Sequence, residues 1–225
     1  MRLFSLSTAE QGASMALFDG RSLVCEAYWS SPKTHSKRIM AMVEQMVVRQ
    51  AGMEIGDIDG FIAAKGPGSF TGLRIGISVI KGLACALSKP CAGVSSLDGI
   101  AYRFSYADTP VCALMDAKRN EVYGAVYKFS RGRLVKKSRE MVCPPEDAIA
   151  MAGKDAAFVG SGSQAYRELI LNYAGQDAWI SDPSGDFASA AAIVRVALGI
   201  PDVFSTEAHG LVPVYLRKSD AEMNL

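Results

Sequence analysis

Apolar and polar residues alternate along this chain in a plan that occurs twice. The first occurrence, residues 3–21, predicts an apolar strand, a polar turn, a second strand and a hairpin turn at Asp19-Gly20. The second, residues 111–133, predicts a strand, a polar turn around Asp116, a second strand and a turn at Gly132. Each opening is followed by a third predicted strand, near residues 23–29 and 134–142, and then by alternating helices and strands, so the chain is predicted to repeat one α/β plan.

The repeat predicts a duplicated α/β fold in which each half is a mixed sheet flanked by helices. The polar segment 105–110 is the predicted linker, so the first domain covers residues 1–106 and the second covers residues 107–225. The C-terminal tail is assigned to the second domain, and this prediction is compatible with packing of the tail against the first domain. Helices are predicted near residues 34–51, from the loop 65–72 to residue 87, and near 97–104, 146–152, after Gly162 and 188–198; later strands are predicted at 60–64, 91–94, 156–160 and 178–181.

Two predicted helices of the first half carry apolar residues on more than one face. Residues 34–51 and the helix that ends near residue 87 each show two apolar stripes. Taken singly, each helix is typical of an ordinary core. Two such helices are difficult to bury together in a chain of this size, so the pair indicates an interface with another protein.

A glycine-rich segment, Gly66-Pro67-Gly68-Ser69-Phe70-Thr71-Gly72, leads from a predicted strand into the second of these helices. Backbone N–H groups at such a helix start are able to hold an anion. The segment is not a P-loop, because the terminal Lys-Ser/Thr pair is absent. The simpler interpretation is a tight strand-to-helix turn with Thr71 as the helix cap, and the residues alone slightly favour it.

Composition narrows the function classes. The chain has 225 residues, of which 49% are hydrophobic and 21% charged, and its net charge is +1. These values predict a globular protein without a membrane span or a signal peptide. The five cysteines form no C-x-x-C pair and are interpreted as reduced thiols of a cytoplasmic protein. Two histidines, His35 and His209, leave little material for a metal site or a catalytic triad, so no catalytic or metal-ligating residue is predicted.

Three other segments admit both a chemical and a structural interpretation. The charged turn 116–123 offers carboxylates for acid–base work, but such turns are more often solvated. The segment 160–165 fits G-x-G-x-x-A, with Asp182 as a candidate ribose ligand, which makes dinucleotide binding the rival hypothesis. A basic run places Arg131, Arg133, Lys137 and Arg139 on one strand face if the strand alternates regularly. It would either touch RNA phosphates or protect an edge strand, and the net charge favours edge protection.

Four segments together resemble one family. They are GPGSFTGLRIG at residues 66–76, DAKRNEVY at 116–123, THS at 34–36 and PVYLR at 213–217, and they resemble the bacterial TsaB (YeaZ) family, which is TsaD-related and glycoprotease-like. The resemblance covers essentially the whole chain. It implies a duplicated actin-like and sugar-kinase-like fold (ASKHA, ribonuclease-H-like) with two lobes. One departure is Ser7, which stands where the family's first strand usually carries an acid.

The resemblance also implies a function. We expect a non-catalytic scaffold subunit that binds TsaD and supports threonylcarbamoyl transfer to the tRNA adenosine next to the anticodon. TsaE, an ATPase subunit, would join them, tRNA would be met only through the complex, and a homodimer would form when the partner is missing. The alternative is a free-standing nucleotide-binding ATPase, kinase-like enzyme or hydrolase of the same fold.

The expected sites follow from the helix pair and the resemblance together. ATP or ADP is expected, if anywhere, at the partner interface, and the chain itself is expected to require no cofactor. The predicted interface residues are His35, Ile39, Met42, Val43, Met46, Phe70, Thr71, Leu73, Arg74, Ile77, Ser78 and Lys81; the predicted bridging nucleotide site is Gly66, Gly68, Ser69 and Arg74.

Overall fold

The structure is a computed structural model that describes residues 1–30, 38–204 and 208–217. The chain forms two compact units. The first holds Met1–Gly99 and Ala188–Val214, and the second holds Ile100–Phe187 and the segment that begins at Tyr215. The division differs from the predicted boundary after residue 106, since a stretch near the end of the chain belongs to the first unit.

Within the described residues, ten strands form two mixed sheets. The strands are β1 (Arg2–Ser7), β2 (Gly12–Asp19), β3 (Ser22–Ser30), β4 (Gly60–Gly66), β5 (Cys91–Ser95), β6 (Val111–Asp116), β7 (Val122–Ser130), β8 (Arg133–Lys137), β9 (Met141–Cys143) and β10 (Ala157–Val159). The first sheet has the order β3-β2-β1-β4-β5, and the second has the order β10-β6-β7-β8 with β9 also paired to β7. A parallel bridge joins Phe158 of β10 to Ile180.

In the part of the chain that the structure describes, seven α-helices connect and cover these strands. They are α1 (Ile39–Glu44), α2 (Phe70–Leu87), α3 (Ser96–Ala101), α4 (Pro145–Ala152), α5 (Ser161–Ala165), α6 (Arg167–Ala174) and α7 (Ala190–Leu198). Short 3-10 turns lie at Ile55–Asp57, Tyr102–Phe104, Pro183–Gly185 and Ala208–Gly210. Helix α1 continues as a π-helix over Gln45–Gln50, where the N–H of Ala51 donates to the carbonyl oxygen of Met46 at 3.0 Å.

The two sheets share one topology, which confirms the predicted duplication. In each, two antiparallel pairs build a three-stranded meander, and a parallel neighbour then extends the first strand: β4 beside β1, and β10 beside β6. A further parallel partner, β5 in one sheet and Ile180 in the other, completes the plan. The predicted fold class, a duplicated α/β fold with helices around each mixed sheet, is confirmed.

Both faces of the first sheet are covered. Successive side chains of its central strands point to opposite faces, and those on each face are buried under helices. Phe4, Leu6 and Phe61 point to the side that also receives α1 and α2, where they share one core cluster with the buried residues of both helices. The other face packs against α7, which contacts every strand of this sheet. Both faces are therefore apolar, as expected for central strands of an α/β layer.

Polar contacts within the first unit hold the start of α7. The N–H of Ala190 donates to Ser14 Oγ at 2.9 Å, and the N–H of Ala188 donates to Glu10 Oε2 at 3.0 Å. Ser189 caps the helix and donates its hydroxyl to Glu26 Oε1 at 2.6 Å. These partners lie more than 160 residues away in sequence. A local sequence pattern does not show such contacts, and the helix was therefore predicted to belong to the second domain.

The second sheet differs from its prediction at two strands. The predicted third strand, residues 134–142, is divided into β8 and β9, because Ser138 leaves the strand and exchanges hydrogen bonds with Val126. The predicted strand 178–181 is reduced to the single bridge at Ile180. The core of this unit includes Leu114, Val122 and Phe158.

Helix α2 offers a matched test of how closely it must approach the turn after β1. A Cβ built at Gly76 lies 2.3 Å from Thr8 Oγ1, whereas a Cβ built at Gly82 meets nothing within 4 Å. Gly76→Ala should therefore destabilise the chain by about 1–3 kcal/mol through overpacking. Gly82→Ala should stabilise it by up to about 1 kcal/mol through helix propensity.

Urea unfolding followed by circular dichroism measures both changes. The two substitutions are chemically identical, so the opposite signs isolate packing from propensity. Equal changes in the two variants would contradict the close approach at Thr8.

Candidate partner-binding site

The glycine-rich segment is the loop between β4 and α2. Ser69 caps the helix, because its Oγ accepts a hydrogen bond from the N–H of Gly72 at 3.2 Å. The predicted cap, Thr71, lies instead inside the helix, which begins at Phe70. The N–H of Ser69 donates to the carbonyl oxygen of Ala9 at 2.7 Å. The loop is thus tied to the turn that follows β1.

Close backbone contacts explain the glycines of this loop. A Cβ built at Gly66 would lie 2.2 Å from the carbonyl oxygen of Val214, and one at Gly68 would lie 2.4 Å from that of Ala9. Both glycines also have positive φ, at 121° and 156°. The Gly66-Pro67 peptide is cis. The loop therefore needs glycine in order to pack against two other backbone segments of the first unit.

These contacts bear on the predicted nucleotide site. Of its four residues, Ser69 uses both its N–H and its hydroxyl oxygen within the unit. Gly66 and Gly68 serve close packing, and Arg74 lies exposed on α2. An adenine nucleotide between two subunits stays a prediction, and Arg74 is the one of the four whose charged group is presented outward.

Helix α2 has a buried side and an open side. Its buried residues, Leu73, Gly76, Ile77, Ile80 and Ala84, face β4 and the core. By length and composition, α2 is the one helix among the described residues that is apolar enough to cross a membrane. Its packing on β4 and β1 is that of a helix which covers a sheet.

The open side of α2 runs the length of the helix at helical spacing. Thr71, Arg74, Ser78, Gly82 and Cys85 are exposed along it. Beside them lie the half-buried side chains of Ile75, Val79 and Leu83, which pack against the core cluster at their inner edge. The result is a surface of small residues bordered by aliphatic ones, which we call the α2 face and which another helix is able to approach closely.

Five of the predicted interface residues lie inside the first unit. Ile39, Val43, Met46, Leu73 and Ile77 are each at most 4% exposed and belong to the core cluster or to the buried side of α2. They stabilise the unit and contribute no surface, which corrects their assignment as contact residues. His35 and the motif at residues 34–36 lie outside the described residues.

The remaining predicted residues are accessible to different degrees. Thr71, Arg74 and Ser78 are exposed, and Met42, Phe70 and Lys81 are half-buried. The Arg74 guanidinium lies over the Phe70 ring, with 3.8 Å from Cζ to the ring centroid. Lys81 Nζ donates to the carbonyl oxygen of His209 at 3.3 Å.

The α2 face includes residues that the predicted list did not contain. Gly82 and Cys85 lie on it, and Ile75, Val79 and Leu83 form its border. The aliphatic three were already visible in the sequence as a second apolar stripe on this helix. Met40 of α1, which is 47% exposed, belonged to the corresponding second stripe of the preceding helix. In both helices the stripe chosen from the sequence faced the core.

The charged turn at residues 116–123 is stabilised by local pairing within the second unit. Asp116 accepts the Lys118 N–H at 2.8 Å and pairs with Lys118 Nζ at 2.6 Å. Arg217 donates to the carbonyl oxygen of Ala117 at 2.7 Å and pairs with Glu121. Two of the segments that carried the resemblance, 116–123 and 213–217, therefore meet through Arg217.

The G-x-G-x-x-A segment does not present a free phosphate loop. The carboxylate of Asp186 accepts hydrogen bonds from the Gly160 N–H at 2.8 Å, from Gln164 Nε2 at 2.6 Å and from the hydroxyl of Ser181. An internal acid thus occupies the position that a dinucleotide phosphate would need. Asp182 caps the turn Pro183–Gly185 through the Ser184 N–H at 2.9 Å. Dinucleotide binding here is therefore contradicted.

Groups for independent chemistry are sparse in the described part of the chain. No three His, Cys, Asp or Glu side chains come together there in a way that would hold a metal ion. Ser7, at the end of β1, is 3% exposed. All five cysteines are free thiols, and burial raises the pKa of Cys112 well above its usual range.

Comparison with known proteins places this geometry in a family. Residues 30–224 match the family model described as TsaD: tRNA N6-adenosine threonylcarbamoyltransferase. The chain is 34% identical to the tRNA threonylcarbamoyladenosine biosynthesis protein TsaB of Escherichia coli over 75% of both chains. It is 27% identical to the protein of the same name from Bacillus subtilis over 99% of this chain and 96% of that one.

A solved structure agrees with the sequence matches. YeaZ from Pseudomonas aeruginosa superposes with a TM-score of 0.78 at 28% identity, covering 96% of this chain and 99% of that one. The family model matches most of the chain, and the E. coli protein is 34% identical to it over three quarters of its length. The chain therefore belongs to the TsaB (YeaZ) family of tRNA threonylcarbamoyladenosine biosynthesis proteins.

Proposed function

We propose that this chain is a non-catalytic subunit that pairs with TsaD and supports threonylcarbamoyl transfer to the tRNA adenosine beside the anticodon. The observation on which the proposal rests most is the α2 face, a continuous surface of small and aliphatic residues on an 18-residue helix. Such a surface is costly to leave in water and suits the backbone of a second helix. A related fold in TsaD would offer a helix of the same kind.

Chemistry on the α2 face favours a helix as the partner over a small ligand. Gly82 has open space beyond its Cα, so a facing backbone is able to approach it without a steric clash. Arg74, held over Phe70, adds one cation near the start of the helix. An interface that is apolar at its centre and charged at its rim is typical of protein recognition.

Helix α1 extends the same argument. Met40 is 47% exposed and Met42 is half-buried, while neighbouring residues of this helix share the core cluster with α2. Methionine is flexible and adapts to different partners. We infer that TsaD contacts both helices, and that a second copy of this chain covers the same surface when TsaD is missing.

The residues at the ends of β1 and β6 support the proposal that the chain is non-catalytic. Ser7 supplies no charge at the end of β1. Asp116, at the matching end of β6, already holds Lys118. A free-standing ATPase or hydrolase of this fold would need an available acid or a metal-ligand cluster at such a position, and the described residues offer neither at these two strand ends.

The other parts of the proposal follow from the family assignment. We propose that TsaE joins the pair, that ATP or ADP binds where Arg74 meets the partner, that tRNA is engaged by the complex and that the complex works in the cytoplasm. None of these is needed for the α2 face to act as the pairing surface.

Gly82→Glu tests the pairing surface without threatening the fold. The exposed position tolerates a side chain, and glutamate is a better helix former than glycine, so the free energy of unfolding should not fall. A carboxylate buried against TsaD without a partner should weaken the complex on the order of a hundredfold. Size-exclusion chromatography with light scattering, on the chain alone and mixed with its cognate TsaD, measures pairing and self-association together.

Met151→Glu on α4, also exposed, is the matched control and should pair normally. Alkylation gives an independent readout: exposed Cys85 should react in the chain diluted until it is monomeric and be protected in the complex, whereas buried Cys112 should react in neither. Retained pairing of Gly82→Glu together with an unprotected Cys85 would refute the α2 face as the site. A folded chain that ignores TsaD altogether would refute the proposed function.

Arg74→Ala tests the charged rim. Removing the guanidinium should weaken pairing with TsaD by roughly fivefold or less, because a charge at the exposed rim contributes up to about 1 kcal/mol. Arg74→Lys should recover part of the loss if charge alone matters, and none if the planar group stacked on Phe70 matters. Calorimetric titration of ADP into the complexes measures the nucleotide contribution in the same samples; unchanged pairing and unchanged ADP affinity would sink both roles of Arg74.

A further inference from the structure

The hairpin β7–β8 of the second unit concentrates positive charge on its exposed positions. Five cations lie exposed on it or directly after it: Lys128, Arg131, Arg133, Lys136 and Arg139. Across residues 1–30, 38–204 and 208–217, none of the five charged groups takes part in an ion pair or a hydrogen bond. The net charge of the whole chain is only +1, so this hairpin is a local concentration of charge.

The strand register brings like charges face to face. Lys128 of β7 lies directly opposite Lys136 of β8, and Ser130 lies opposite Arg133. The three cations therefore share one face of the hairpin, which we call the basic face. A bulge between Lys128 and Phe129 shifts the alternation, so Lys137 lies on the other face, contrary to the regular pattern expected from sequence. Like charges directly opposite one another destabilise a strand pair.

On the opposite face of the same hairpin, the cation has an acidic partner and contacts an aromatic ring. There Lys137 Nζ pairs with Glu140 Oε1 at 2.6 Å and lies 5.4 Å from the Tyr127 ring centroid. Tyr127 and Phe129 are buried and stacked, which anchors the hairpin. An acid is therefore available in this segment, but it serves the inner face, and the basic face has none.

Edge protection accounts for only part of this pattern. Strand β8 lies at the edge of its sheet, where lysine is a common defence against unwanted strand pairing. The pairing of β7 with β6 ends at Tyr127, so Lys128 is paired with β8 alone, and edge protection does not account for its position directly opposite Lys136. A bound anion between Lys128 and Lys136 would offset the repulsion between the two ammonium groups.

An aromatic ring lies beside the tip of the hairpin. Tyr106 is 82% exposed, and its ring touches Gly132, where a built Cβ would be 2.8 Å from Tyr106 Cζ. The turn Arg131-Gly132 has positive φ at both residues, 50° and 76°, although the first is not glycine or asparagine. Arg131 therefore occupies the tip of the hairpin, next in sequence to the glycine that the ring contacts.

We propose that the basic face and Tyr106 together bind an unpaired stretch of RNA. Lys128, Arg133 and Lys136 would contact successive phosphates, and the Tyr106 ring would stack on a base. Cations with an exposed aromatic ring are the combination that single-stranded nucleic acid requires. An acidic protein segment would satisfy the cations but would leave the ring unused. The choice of tRNA as the RNA rests on the proposed function; the phosphate and base contacts do not.

The test measures RNA binding by the full chain, alone and in complex with TsaD. The probes are a fluorescein-labelled unmodified tRNA transcript and a labelled single-stranded oligoribonucleotide, followed by anisotropy across a salt series. The variants are Lys128→Ala/Arg133→Ala/Lys136→Ala, Tyr106→Ala and Tyr106→Phe. The matched control, Arg21→Ala/Lys154→Ala/Arg195→Ala, removes the same charge from exposed positions elsewhere.

We expect the basic-face variant to bind RNA about tenfold more weakly or worse, with a salt-dependence slope smaller by about two. Tyr106→Ala should weaken binding by about fivefold or more, and Tyr106→Phe should restore it, because phenylalanine keeps the stacking surface. The control should bind like the parent chain. Removing a like-charged pair should leave the folded state at least as stable, so loss of folding does not mimic the result.

Three results would overturn the inference: equal RNA binding by the parent chain and the basic-face variant, an equal loss in the control, or tighter binding of polyglutamate than of RNA. Pairing with TsaD, measured on the same samples, keeps the two proposals apart. RNA binding lost with pairing intact concerns the hairpin alone, and pairing lost with RNA binding intact concerns the α2 face alone.

Discussion

The close approach of α2 to the turn after β1 fixes much of the first unit. Cβ atoms built at Gly72 and Gly76 would lie 2.1 Å and 2.3 Å from atoms of Thr8, so only glycine permits this contact. The Thr8 hydroxyl then donates to the Gly72 carbonyl oxygen at 2.7 Å. Because the helix is held at this point, its rotation is set, and Leu73 and Ile77 turn inward while Ser78 and Gly82 turn outward.

That rotation decides what the helix presents to other proteins. Rotation of the helix by roughly a third of a turn about its axis would place the small residues inward, where they would leave voids, and the aliphatic ones outward. The outer surface is instead smooth and open at Gly82. The glycine-rich segment therefore sets which residues α2 exposes, because its glycines permit close backbone contact. The N–H groups of Ser69 and Gly72 donate to atoms of the first unit itself.

The two units share a topology but differ in what their exposed surfaces carry. In the first unit, the α2 face of small and aliphatic residues is exposed; in the second, the exposed surface of the β7–β8 hairpin is basic. Duplication explains this difference, since each copy needs only its core to keep the plan, and surface residues are free to change. Asp186 shows the same freedom inside the second unit, where a phosphate-like turn is closed by an internal carboxylate.

The sequence by itself determined the duplicated strand order, most element positions, the apolar character of α1 and α2 and the family. These depend on local periodicity and on motifs, which contiguous residues carry. Only the tertiary structure decided which stripe of α2 faces the core, that α7 belongs to the first unit through Ser14 and Glu26, and that a bulge sets Lys128 against Lys136. Each depends on contacts between distant segments or on register, and a pattern of hydrophobic and polar residues specifies neither.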